Sequence, residues 1–185
     1  MERPSPDEIA AADGRTIPDV LAPGLLVLFV GINPGRSSGA TGHHFARPGN
    51  RFWKALHLGG FTDRVWDPTE DRLLPTVGLG ITNLVPRTTR AASELVPDEL
   101  RAGALRLERL ARRVAPSFVA VLGIGAFRAA FDRPHAALGD QPHPLGPSRV
   151  WVLPNPSGLN AHHQLDDLAG RFAQLRAAAL AARGD

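Results

Sequence analysis

Two asparagines, each set before a proline at the end of an apolar run, are the residues of this chain whose type and spacing best suit chemistry. The first is Asn33 in Leu25-Leu26-Val27-Leu28-Phe29-Val30-Gly31-Ile32-Asn33-Pro34-Gly35. The second is Asn155 in Arg149-Val150-Trp151-Val152-Leu153-Pro154-Asn155-Pro156-Ser157-Gly158-Leu159-Asn160. A carboxamide does not ionise in the accessible pH range, so Asn33 cannot serve as a general base, but it can accept a hydrogen bond from water and aim it. That suits a reaction with a strongly cationic transition state and an early-departing leaving group, such as glycosidic cleavage through an oxocarbenium-like state. Backbone N–H groups of a glycine-rich turn can stabilise the departing anion. The bland alternative for a single Asn-Pro-Gly is ordinary turn chemistry. Two copies at strand ends favour a site.

The elements that must position these residues follow from the apolar pattern. Leu25–Val30 is short, apolar and bounded by Pro-Gly on both sides, which predicts a strand buried on both faces of a parallel sheet. Pro34 ends the ladder and leaves Asn33 at the strand's carboxyl tip, where ligands bind in open parallel sheets. Further strands are expected at Val77–Val85, with Asn83 near its end, at Ser117–Gly123 and around Val150. Helices are expected over Arg51–Leu58 behind an Asn50 cap, over Pro97–Val114, over Ile124–Phe131 and from about Gln164 to Ala182. Arg36–Gly49 reads as a long functional loop and Asp132–Ser148 as a surface loop. The alternation predicts an α/β class fold, a three-layer α/β/α sandwich with a short, mostly parallel central sheet. Residues 1–16 read as a loosely ordered leader and 17–185 as a single domain.

Composition narrows the chemistry. Of 185 residues 43% are hydrophobic, enough for one full core. Cysteine is absent, which removes disulfides, thiolate nucleophiles and iron–sulfur clusters. No apolar run is long enough for a membrane span, and no secretion signal opens the chain, so cytoplasmic residence is expected. Lys54 is the only lysine. A net charge of +3 and a pI near 10.8 thus rest on arginine and permit a phosphate-bearing partner. His43-His44 and His162-His163 lack the spacing of a metal site, and no cofactor is expected. Phe45 reads either as a satellite core residue or as a platform for a planar ligand. Leu159 either tucks back onto the domain or forms a wedge for a base stack.

Gly31-Ile32-Asn33-Pro34-Gly35 together with Asn155-Pro156-Ser157-Gly158-Leu159 resembles the two signature motifs of the mismatch-specific uracil/thymine DNA glycosylases, within the uracil-DNA glycosylase superfamily. The resemblance runs from about Leu21 to Ala182 and includes Gly42, Phe45 and Pro48-Gly49-Asn50-Arg51-Phe52-Trp53-Lys54. It implies a metal-free enzyme that flips a base out of duplex DNA and hydrolyses its N-glycosidic bond. Asn33 would position the attacking water and Phe45 would stack on the base. Main-chain groups near Ile32 and Phe45, with Asn155, would contact the base's polar edge, and Asn83 would touch the base. Leu159 would plug the vacated stack, with Ser157, Gly158 and Asn160 on the DNA beside it. Ser38 matches the uracil-preferring side of the family. The partner implied is double-stranded DNA with G·U or G·T mispairs, bound by a monomer.

Two departures matter. Bacterial relatives place an arginine soon after Leu159, where this chain has Ala161. Asn33 also stands where the most proficient uracil-removing branch supplies an aspartate. Asp63, Asp67, Asp71, Glu94 and Asp98 stay open as helpers. Other readings are an N-glycosidase for other lesions, a damage-binding protein with little turnover, and a nucleotide-binding α/β module.

Overall fold

A computed structural model describes residues 3–158 and 163–184. Five strands form one sheet in the order β2-β1-β3-β5-β4: β1 (Val27–Gly31), β2 (Leu79–Asn83), β3 (Phe118–Leu122), β4 (Gly139–Leu145) and β5 (Ser148–Leu153). All neighbours are parallel except β4, which runs antiparallel to β5 along the edge. The helices are α1 (Pro6–Ala10), α2 (Arg36–Thr41), α3 (Phe52–Leu58), α4 (Pro97–Val114), α5 (Ile124–Phe131) and α6 (Leu165–Arg183), with a 3-10 segment at Pro68–Val77. Among the described residues, no helix is long and apolar enough to cross a membrane.

Why the apolar runs are unbroken is clear from the layers. In β1, Val27 and Phe29 enter one core with Phe52, Leu56 and Phe172 of α3 and α6; Leu28 and Val30 enter the other with Leu107 and Phe127 of α4 and α5. Strand β3 divides in the same way, Phe118 and Ala120 to one side and Val119 and Val121 to the other. Each of these valine, leucine and phenylalanine side chains contributes about 1.5–3 kcal/mol by leaving water. The three-layer α/β/α sandwich expected from the pattern is the fold observed. From β1 the chain crosses to β2 on one side and then to β3 on the other, so the sheet's switch point lies between β1 and β3. A crevice opens at the carboxyl ends of such strands.

Three segments differ from expectation. Arg36–Thr41, read as loop, is helix α2; it starts after an extended Gly35 and stops at Gly42, whose φ of 76° suits glycine. The poor helix formers of α2 are held by docking, with Ser38 and Gly39 buried. Asp132–Ser148, read as a surface loop, contains β4. Pro142 and Pro144 are tolerated there because an edge strand leaves one side unpaired. Residues 1–16, read as a loosely ordered leader, contain α1, closed by a capping box between Ser5 and Glu8.

Candidate active site

The carboxyl ends of β1, β2, β3 and β5 enclose a cavity of about 790 Å³, lined by residues that include Gly31, Ile32, Asn33, Ser38, Phe45, Asn83, Leu122, Asn155 and Ser157. Both Asn-Pro turns therefore open onto one crevice. Among the described residues no aspartate or glutamate lines it, whereas Arg36, Arg47 and Arg90 do. Neither Arg47 nor Arg90, both exposed, makes a side-chain hydrogen bond or ion pair among the described residues. The rim is electropositive.

Asn33 sits half-buried just beyond β1, and its orientation is fixed by its donor side. Nδ2 donates to Thr89 Oγ1 at 2.7 Å, to the Arg87 carbonyl at 3.1 Å and to the Pro34 carbonyl at 3.2 Å. With Nδ2 committed, Oδ1 is the atom left to accept from a water, which is what aiming a nucleophile requires. The turn that supplies Arg87 and Thr89 is itself tied down. Thr89 N–H donates to the Pro34 carbonyl, and the Arg87 guanidinium grips Glu99 and holds its carboxyl down to about 2.

Phe45 is a stacking platform with a rigid floor. Its ring lies over that of fully buried Phe52, centroids 4.1 Å apart and planes 21° apart, while the residue also lines the cavity. The backbone is left-handed, φ 54°, which costs a residue with a Cβ roughly 1–2 kcal/mol. The flanking residues sustain that conformation. His44 N–H donates to buried Asp71, Trp53 Nε1 donates to the His44 carbonyl, and Ala46 N–H donates to Ser38 Oγ. His44 Nε2–H donates to the Pro18 carbonyl, and burial pushes the imidazole below its ordinary value, so the ring is neutral. Ser38, expected to face the base, lines the cavity but spends its hydroxyl on Ala46.

Asn83 borders the cavity beside the Phe45 ring. It is 5% exposed, lines the cavity, and its carboxamide makes no hydrogen bond to the described residues. A buried amide left open toward a cavity is equipped to bind a ligand's polar edge. Its neighbour in register is Gly31, and the absence of a side chain there is what admits it. A Cβ on Gly31 would lie 2.4 Å from Asn83 Oδ1 and 3.3 Å from the Phe45 ring. Asn155 sits at the end of β5, where its Oδ1 accepts from Ser157 N–H and shapes the second turn. Ile32 packs across Gly123, and its carbonyl accepts from Val85 N–H.

The second turn has a brace that sequence reading missed. Arg51, at the start of α3, donates from Nη2 to the Ser157 carbonyl at 2.6 Å, from Nη1 to the His163 carbonyl at 2.5 Å, and from its backbone N–H to the Pro156 carbonyl at 3.0 Å. One guanidinium thus spans both stems of the loop between them. Its one sequence signal was its place in Asn50-Arg51-Phe52-Trp53. Gly158 approaches Gly49 so closely that a Cβ would meet the Gly49 carbonyl at 2.7 Å. Leu159 and Asn160, expected at the DNA, and Ala161 lie outside the described residues. The acids left open as helpers are engaged elsewhere: Asp63 with Trp66, Asp67 as a helix cap, Asp71 with His43 and His44, Glu94 with Ala91 and Asp98 with Arg101. Among the described residues, no group of three His, Cys, Asp or Glu side chains could hold a metal.

Fold and site together define an α/β/α protein with a carboxamide-lined crevice at its strand tips, without a carboxylate among the described lining residues and with arginines on the rim. The chain belongs to the uracil DNA glycosylase superfamily, whose family model matches residues 18–180. Its class of activity is that of a DNA glycosylase, a hydrolase of N-glycosyl bonds with DNA as substrate. Among solved structures it is similar to an NMR structure of a candidate uracil DNA glycosylase from Methanosarcina acetivorans. The TM-score is 0.54 at 19% identity, covering 88% of this chain and 98% of the other, a likeness of fold.

Proposed function

We propose that this protein is a monofunctional, mismatch-specific glycosylase that extrudes uracil, and less readily thymine, from G·U and G·T mispairs and leaves an abasic site. The observation that carries the proposal is the convergence of Asn33, Phe45 and Asn83 on one cavity that no carboxylate of the described residues lines. In this mechanism the extruded base stacks on Phe45 and its polar edge meets the open carboxamide of Asn83. The glycosidic bond breaks with little nucleophilic help, the negative charge departs with the base, water held on Asn33 Oδ1 adds to the sugar cation, and the proton that water loses neutralises the departed base anion. With no carboxylate among the described lining residues to activate that water, catalysis rests on placement and turnover is slow. The hydroxyl of Ser38 offers no apolar seat for a 5-methyl group, which favours uracil over thymine. Lys54 is exposed on α3 and does not line the cavity, so the pocket offers no lysine for a Schiff base and the strand stays intact.

The test is a duplex carrying one G·U pair, incubated under single-turnover conditions and then cleaved at abasic sites with alkali. Wild type should release uracil, and Asn33→Ala should slow release by at least a hundredfold, about 2.7 kcal/mol of barrier. Tight binding without base release would contradict the proposal, as would strand cutting before alkali.

A further inference from the structure

The superfamily match begins at residue 18, yet the residues before it are built into the site. Ile9 of α1 lines the cavity. Ala12 is fully buried, its Cβ 3.2 Å from where a Cβ on Gly39 of α2 would stand, and Asp13 pairs with Arg36 at 3.0 Å. The segment then runs beside the turn after β2. Gly14 N–H donates to the Thr88 carbonyl at 2.9 Å, Thr88 N–H donates to the Arg15 carbonyl at 2.8 Å, and Thr16 forms an antiparallel bridge with Arg87. Those contacts fall on the turn whose Arg87 carbonyl and Thr89 hydroxyl receive the Asn33 amide.

We propose that residues 3–16 are a strap that positions Asn33 through the Arg87–Thr89 turn. The inference rests on the reading that Asn33 aims the water. The strap touches no reacting atom. It joins α2 on one side of Asn33 to the turn on the other, so that the acceptors of Nδ2 cannot drift. On the scale by which small displacements of reacting groups reduce rates, undocking the strap lowers the chemical rate on the order of tenfold or more. It leaves Phe45, Asn83, Arg47 and Arg90 in place and frees only Arg36 from its Asp13 partner, so DNA affinity is retained.

Two full-site variants test this: Ala12→Arg, which cannot bury its side chain against Gly39, and deletion of residues 1–16. Each is made with Asn33 present and in the Asn33→Ala background. The single-turnover rate of uracil release, the affinity for an abasic-site duplex, and hydrogen exchange at the Thr88 and Thr89 amides are measured. The expected result is faster exchange at both amides, a rate loss of tenfold or more with Asn33 present, no further loss in the Asn33→Ala background, and abasic-duplex affinity within about threefold of wild type. An unchanged rate despite faster exchange overturns the proposal, as does the same fractional loss in both backgrounds. Unfolding of both variants at the assay temperature overturns it too, because the segment would then serve the fold as a whole. A wild type that releases no uracil, or an Asn33→Ala variant as fast as wild type, instead refutes the role of Asn33. In that case the exchange data still decide whether the strap holds the turn.

Discussion

Replacing Gly31 by alanine tests the recognition wall at a single methyl group. Gly31 is not one of the positive-φ glycines, so its backbone accepts alanine without strain. The added Cβ would stand 2.4 Å from Asn83 Oδ1, against an ordinary C···O separation of roughly 3.3 Å, so the carboxamide must retreat by about 0.9 Å. The Phe45 ring, 3.3 Å away, must yield by a few tenths of an ångström to reach ordinary contact of about 3.5 Å. Both movements occur in side chains that border the cavity, so the fold absorbs them. Loss of a glycine also restricts the unfolded chain by about 0.4–1 kcal/mol, which offsets part of the strain. The base contact does not survive. Removing a hydrogen bond to a buried polar edge costs about 1–3 kcal/mol, which lowers kcat/KM roughly 5- to 150-fold. The assay is single-turnover uracil release beside a thermal melt. Release within threefold of wild type would refute the assignment of Asn83 to the base, and a melting temperature lower by more than about 10 °C would refute the claim that only side chains move.

The rim arginines give a second expectation. If Arg47 and Arg90 each neutralise a phosphate, replacing either by alanine weakens binding to matched and mispaired duplexes alike. The slope of log K against log salt then falls by about 0.9 per arginine, measured by anisotropy titration across salt concentrations. Arg51→Ala frees both stems of the second turn and should reduce duplex activity at least tenfold while sparing single-stranded uracil DNA. Equal loss on both substrates would assign Arg51 to the fold alone. His44 sets a pH limit. Its imidazole is held neutral by burial, so the unfolded chain takes up its proton first as pH falls. Stability is full above about pH 6.5 and declines below it. A His44→Gln variant, able to keep a donor toward Pro18, should show a flatter dependence of melting temperature on pH between 7 and 5.

How much of this was legible in the sequence depends on whether the cause was local. Strands β1 and β3 and helix α5 could be read almost to the residue, because burial on both faces forces unbroken apolar runs and turn residues punctuate them. Convergence of Asn33 and Asn155 followed from two parallel strands sharing one carboxyl edge. Helix α2 was hidden because Arg-Ser-Ser-Gly-Ala-Thr has little intrinsic tendency to form one; its helix depends on docking against distant Thr88 and Ala12. The proline-bearing β4 pairs on one side only, which no local pattern announces. Phe45's left-handed backbone and Arg51's grip on remote carbonyls are likewise made by partners far along the chain. The strap escaped notice because its polar residues are anchored chiefly by main-chain bonds.

The first turn of α3 carries Arg51 and Phe52 side by side, the one gripping the stems of the second turn and the other lying beneath the Phe45 ring. Under the proposed function, a single piece therefore gauges the span from the gap in the base stack to the seat of the extruded nucleotide. That span is set once, when the helix packs against α6, and it does not have to be found again at each encounter with DNA.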